Sequence, residues 1–174
     1  GSLSSATDVT LSGTSIWDLR TAQTVASLDM AAGSSITNGA GTSSLRVSGA
    51  SVLANAVTTS GTQRYDGVVT LGASTTLTGT TINTQSTLDG GANPLTIAGA
   101  ADVDGAYTNV ASLTVNGTAN IGASVTTSGA QIYNDSVTVS AASTLSTTDS
   151  NVTLGSTVTL GENLTVNTGA GAGD

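Results

Sequence analysis

The residues best placed to do chemistry are acidic. Asp102-Val103-Asp104-Gly105 alternates, so in an extended segment both carboxylates project from one face, as calcium ligation favours. A full calcium loop needs further oxygen ligands and a bidentate Glu, which this stretch lacks, so the residues suit an ordinary turn better than a cation site. Arg64-Tyr65-Asp66 holds a second polar group, an ion pair worth roughly 0 to 1 kcal/mol if exposed. Trp17 is the remaining candidate for ligand binding, because a flat apolar ring suits a sugar face, although a ring of that size is more often buried. Arg64, Asp66 and Trp17 are thus the candidate ligand-binding residues, and Asp102 and Asp104 the candidate metal ligands.

The chain has no His and no Cys. That removes imidazole acid–base catalysis, thiolate nucleophiles and zinc sites built on those ligands. No residue is assigned a catalytic role and no cofactor is expected. A net charge of −8, with Arg20, Arg46 and Arg64 as the only cations, leaves no basic footprint for nucleic acid or an anionic membrane surface. No apolar run approaches the roughly 18 residues of a membrane-spanning helix.

The elements that would position these groups are strands. Thr, Ser, Ala, Gly and Val dominate, Lys is absent and Glu occurs once, a composition that argues against helix throughout and for an all-β chain. With no Phe, three Tyr and one Trp, a thick globular core is hard to build. Stacked small and β-branched residues suit a thin, elongated one.

An apolar-polar-apolar triplet recurs at Val9, Leu28, Leu45, Val69, Leu95, Leu113, Val137, Val152 and Leu164, usually followed by Gly. Each triplet points its outer two side chains to one face, and a strand so short needs neighbours stacked above and below, about 4.8 Å apart. The spacing predicts a β-solenoid of about eight coils, roughly 40 Å long, in which the last two intervals between triplets, each too short for a full turn, share one. Gly is expected to end each strand and permit a tight bend.

A longer repeat lies over this pattern. Val57 to Leu77, VTTSGTQRYDGVVTLGASTTL, returns 68 residues later as Val125 to Leu145, VTTSGAQIYNDSVTVSAASTL, with twelve of twenty-one positions identical. The offset is close to three coils. Ser60-Gly61-Thr62-Gln63 reads as a turn, and the recurrence of Tyr65 as Tyr133 argues for a structural role. Pro94 precedes the Leu95 strand, where a missing N–H is tolerated. Gly1-Ser2 reads as a cloning remnant and residues 169–174 as a flexible tail or a coil cut short. The whole of 1–174 is therefore expected to be a single solenoid segment of a longer array.

The repeat VTTSGTQRYDGVVTLGASTTLTGTTI, with TLDGGANPLTIAG after it, and the Trp-containing stretch SIWDLRTAQTVASLDMAAGSSI resemble segments of the long β-helical surface proteins of Gram-negative bacteria, the filamentous-haemagglutinin-like (two-partner secretion) and autotransporter adhesins. The resemblance implies a right-handed parallel β-helix, exported through the outer membrane and displayed at the cell surface. It implies a rod or stalk segment of a secreted adhesin, partnered by a host-surface protein or glycan or by sister rods. No functional residue carries over, because the matching positions are scaffold positions in that family.

Three alternatives follow from the residues. A β-helical polysaccharide-active enzyme would need convergent carboxylates, about 5 to 10 Å apart. A row of outward Thr at Thr70, Thr96, Thr114, Thr138 and Thr153 would suit an ice-binding solenoid, against which the uneven coil spacing counts. Tandem immunoglobulin-like sandwiches are opposed by the scarcity of aromatics and by a 68-residue repeat.

Overall fold

Among the described residues every strand pair is parallel, and residues partnered between neighbouring strands lie 17 positions apart at the closest, Val110 to Thr127, and 23 at the farthest, Leu28 to Ser51. A parallel ladder with so short a return path is a coil wound around its own core. The computed structural model describes residues 1–169. The tail expected from 169 onward therefore lies, but for Gly169, outside the described residues.

Each coil has three sides. The first face stacks β1 (Asp8–Leu11), β4 (Ser27–Met30), the start of β7 (Ser51–Thr58), the start of β9 (Val69–Thr78), β11 (Leu88–Asp89), β14 (Tyr107–Val110), β17 (Val125–Thr127), β20 (Ser143–Ser146) and β23 (Leu164–Asn167). The second stacks β2 (Ile16–Asp18), β5 (Ser35–Thr37), the ends of β7 and β9, β12 (Leu95–Ile97), β15 (Leu113–Val115), β18 (Gln131–Tyr133) and β21 (Val152–Leu154). The third is a separate sheet of β3 (Gln23–Val25), β6 (Leu45–Val47), β8 (Gln63–Tyr65), β10 (Thr81–Thr84), β13 (Ala100–Val103), β16 (Ala119–Ile121), β19 (Val137–Val139) and β22 (Val158–Leu160). The chain is all-β, a β-solenoid of about eight turns.

The triplets of the central coils behave as expected, whereas at the two ends the outer residues are only half-buried, as at Val9 and Val152, or exposed, as at Val166. Leu113 and Val115 are fully buried while Thr114 between them is half-buried on the outer surface. Each such Leu, Val or Ile contributes about 1.5–3 kcal/mol of burial, and the solenoid core is the sum of many of these.

The triplets do not, however, form one column. Val9, Leu28, Val69 and Leu164 lie on the first face, Leu95, Leu113 and Val152 on the second, and Leu45 and Val137 on the third. The expected row of Thr is divided accordingly: Thr70 faces out from the first side, Thr138 from the third, and Thr96, Thr114 and Thr153 from the second. On the second face Thr76, Thr96 and Thr114 are consecutive partners, and Ile132 then interrupts the row before Thr153.

The long repeat also needs correcting. Val57 ends up on the second face and Val125 on the first, eleven strands further along when β7 and β9 are counted on both faces they cross. The copies are thus separated by three and two-thirds coils, not three. What recurs is a corner. In the first copy Gln63, which starts β8 and does not lie in a turn, is fully buried. Its Nε2 donates to the Val57 and Thr78 carbonyls, both at 2.8 Å, and its Oε1 accepts from the Tyr65 hydroxyl at 2.9 Å. In the second copy Gln131 donates to the Val125 and Ser146 carbonyls at 3.1 and 2.8 Å and accepts from Tyr133 at 3.1 Å. The intervening turn is tied in the same way, Thr59 Oγ1 donating to the Gly61 carbonyl and Thr127 Oγ1 to that of Gly129. Five of the twelve shared positions, Val57, Thr59, Gly61, Gln63 and Tyr65 with their counterparts, encode one buried hydrogen-bonded corner, used at two different edges of the prism.

Glycine has a second use that the sequence does not disclose. Gly61, Gly79, Gly99 and Gly117 lie one above another, and none has the positive φ that a tight bend would need. They are required because the coils touch. A Cβ on Gly79 would stand 2.6 Å from the Gly61 carbonyl oxygen and one on Gly117 2.7 Å from that of Gly99, while one on Gly99 would overlap the carbonyl of Gly79. Replacing Gly99 by Ala must therefore push two backbones apart, and is expected to cost about 1–3 kcal/mol, read as a lower midpoint in urea unfolding with the slope unchanged.

Candidate functional site

Arg64 and Asp66 come from one coil and Asp102 and Asp104 from another two rungs away, yet the solenoid brings all four to one surface. The outward side chains of the third face follow one another from Thr24 through Arg46, Arg64, Asn83, Asp102, Asn120 and Thr138 to Thr159, each partnered with the next. At about 4.8 Å per step, Arg64 and Asp102 are two rungs apart although 38 positions separate them in sequence. A second column runs along the corner beside it, through Ser48, Asp66, Gln85, Asp104, Gly122 and Ser140. The amide N–H of each donates to a carbonyl of the preceding coil, as from Asp66 to Val47 at 2.9 Å and from Asp104 to Thr84 at 3.0 Å.

Sequence reasoning missed Arg46, Asn83, Gln85 and Asn120, which complete the array. The only signal for them is the partner offset, which cannot be counted along the chain until the length of each coil is known.

The array has two halves. At the upper rungs Asp66 is shared: Arg46 contacts its Oδ2 at 2.7 Å and Arg64 its Oδ1 at 2.6 Å. Partial burial would raise the Asp66 pKa, but hydrogen bonds from Arg46 and Arg64 outweigh it and hold the carboxyl below the usual range. Two guanidinium groups and one carboxylate leave this half positive.

At the lower rungs the carboxylates are held by amides. Asp102 accepts from Asn83 Nδ2 at 2.5 Å and from Asn120 Nδ2 at 2.8 Å. Asp104 accepts from Asn83 Nδ2 at 3.3 Å and from Gln85 Nε2. Asn83, although on an outward rung, is thereby covered to 7% exposure. Among the described residues no group of three or more His, Cys, Asp or Glu gathers that could hold a metal ion.

Below this, the inward column of the third face holds Ala101 and Ala119 in succession. Over them lies a shallow cleft of about 490 Å³, lined also by Asp102, Asn120, Thr138, Thr81, Thr118 and Ser136.

Trp17 lies elsewhere. It heads the inward column of the second face, partnered with Ile36, and is half-buried against the core at the amino-terminal end. A cleft of about 290 Å³ beside it is lined by Leu3, Leu19, Thr21 and Gln23, with the Asp18–Arg20 ion pair at 2.7 Å. Asp18 titrates below the usual range, first because the Gly39 amide donates to it and then because Arg20 does. The structure does not bring Trp17 to the Arg64–Asp104 array.

Tyr65, Tyr107 and Tyr133 are buried, one on each face: the third, the first and the second respectively. Burial raises the pKa of all three phenols, that of Tyr107 to about 12, against a lowering contribution from its hydrogen bond with Thr84.

No family model matches the chain, and neither any curated protein nor any solved structure does.

Proposed function

We propose that the chain is a passive rod segment of a secreted bacterial surface adhesin, spacing or presenting a contact region and carrying out no catalysis. The observation that carries this reading is the uninterrupted three-sided stack of parallel strands, whose repeated units are corners and core positions. The resemblance of the 57–77 and 125–145 repeats to two-partner and autotransporter adhesins supplies the exported, cell-surface setting.

Against an enzyme stands the character of the carboxylates. Asp102 and Asp104 lie near each other through the shared Asn83 amide, but on an outward face, and the amide bonds they accept suit ionised carboxylates and leave neither as a proton donor. Glycoside cleavage needs one such group free to give up a proton and the other free to attack or to activate water.

The test is antibody labelling of the cells that make the protein. Intact cells are expected to label at their outer surface. Labelling that appears only after permeabilisation overturns the reading.

A further inference from the structure

The upper half of the polar array on the third face is a cationic spot on a strongly acidic molecule. Of the three Arg in a chain of net charge −8, two stand on adjacent rungs and share a single carboxylate. The hydrogen bonds to Asp66 engage Nε and Nη2 of Arg46 and Nε of Arg64. A guanidinium has five N–H donors, so most of the donors of this pair remain for a ligand, and the two side chains are 54% and 43% exposed.

Charge then changes sign down the same column. Two rungs below Arg64, about 10 Å away, stand Asp102 and Asp104 with their amide partners, and beside them opens the cleft floored by Ala101 and Ala119. The cleft is shallow and open, so a ligand there would lie along the face and not be enclosed. A uniformly anionic chain laid along the face would gain at Arg46 and Arg64 and lose again at Asp102 and Asp104. A neutral chain would leave the guanidinium donors unused.

We infer that the third face binds an oligosaccharide that is neutral along its body and ends in a carboxylate-bearing sugar, with the carboxylate on Arg46 and Arg64 and the sugar hydroxyls on Asp102, Asn120 and Thr138. A rung spacing close to the length of one pyranose ring lets successive sugars meet successive coils. Arg suits the acidic end because its planar fork matches a carboxylate. The inference adds recognition to the rod reading and rests on the rod being displayed where glycans can reach it.

The test is titration of the purified chain, followed by NMR, with 3′-sialyllactose, lactose and a heparin hexasaccharide. Sialyllactose is expected to bind saturably and about tenfold or more tighter than lactose, the worth of one charge-assisted contact, with heparin no tighter than sialyllactose. Arg64→Gln, and separately Arg46→Gln, should bring sialyllactose down towards lactose, while Asn120→Ala weakens both sugars alike. Folding of each variant is read from the buried phenols, which stay protonated in the folded chain at pH 10.

Absence of saturable binding, equal binding of lactose and sialyllactose, tighter binding of heparin, or a folded Arg64→Gln that binds as before would each overturn the inference. Surface labelling of intact cells would stand regardless. The rod reading and this one therefore fail separately.

Discussion

Raising the pH above 10 should unfold the protein cooperatively, and its three phenols should ionise together as it does so. Tyr65, Tyr107 and Tyr133 are the only tyrosines in the chain, and all are buried. Burial raises each pKa above 10.0, that of Tyr107 to about 12. The native state therefore keeps protons that the unfolded chain releases from about pH 10 upward.

Stability contributed by a raised pKa is fully present below the unfolded value and is lost as pH climbs towards the folded one. Each phenol costs about 1.4 kcal/mol per pH unit in that window, and three together about 4 kcal/mol per unit, enough to exhaust a typical domain's 5–15 kcal/mol within a few units. The measurement is phenolate absorbance and circular dichroism against pH. Three phenols that ionise near pH 10 with the strand signal intact would contradict the burial.

The second large effect is expected at the corner glutamines. Gln63→Leu keeps the volume and removes the amide, leaving the Tyr65 hydroxyl without its acceptor and the Val57 carbonyl without the side-chain donor, while the Thr78 carbonyl retains the N–H of Thr59. Stranding buried groups of this kind costs about 1–3 kcal/mol each, so a loss of about 2–4 kcal/mol and a fall of about 5–15 °C in melting temperature are expected. Gln131→Leu should behave the same way. Because the two corners lie on different edges and several coils apart, the double variant should show the sum. Tyr65→Phe added to Gln63→Leu should recover part of the loss, because it removes the stranded hydroxyl.

Much of the fold is legible in the sequence. Alternation at triplets such as Leu113-Thr114-Val115 shows which side chains face in, and the lack of aromatics points to a thin core that only stacking could complete. Which face each triplet occupies was not legible. A triplet marks any strand, and intervals between triplets resemble whole coils even when they carry the chain to another side, as from Leu28 to Leu45. The length of each coil depends on loops such as 38–44, which have no pattern of their own.

The candidate site suffered most from this. Arg64 and Asp102 are rung neighbours but one, and a change of one residue in any intervening loop would leave their sequence separation almost the same while the count of rungs stayed fixed by the strands alone. Gln63 was misplaced for a different reason: a polar residue after Ser-Gly-Thr looks like part of a turn, and its burial becomes intelligible only with Val57, Thr78 and Tyr65 around it. Gly61, Gly99 and Gly117 read as bend glycines and Gly79 carries no signal of its own, whereas the contacts of all four are with the coil above.

The corner shared by the two copies has a consequence for how such a chain can grow or shrink. Since the copies are offset by three and two-thirds coils, gaining or losing one 68-residue unit would not simply lengthen or shorten the prism. Everything downstream would also swing by a third of a turn about the axis, carrying a surface from one side to the next. Copy number in this architecture would set the compass bearing of what the rod displays as well as its reach.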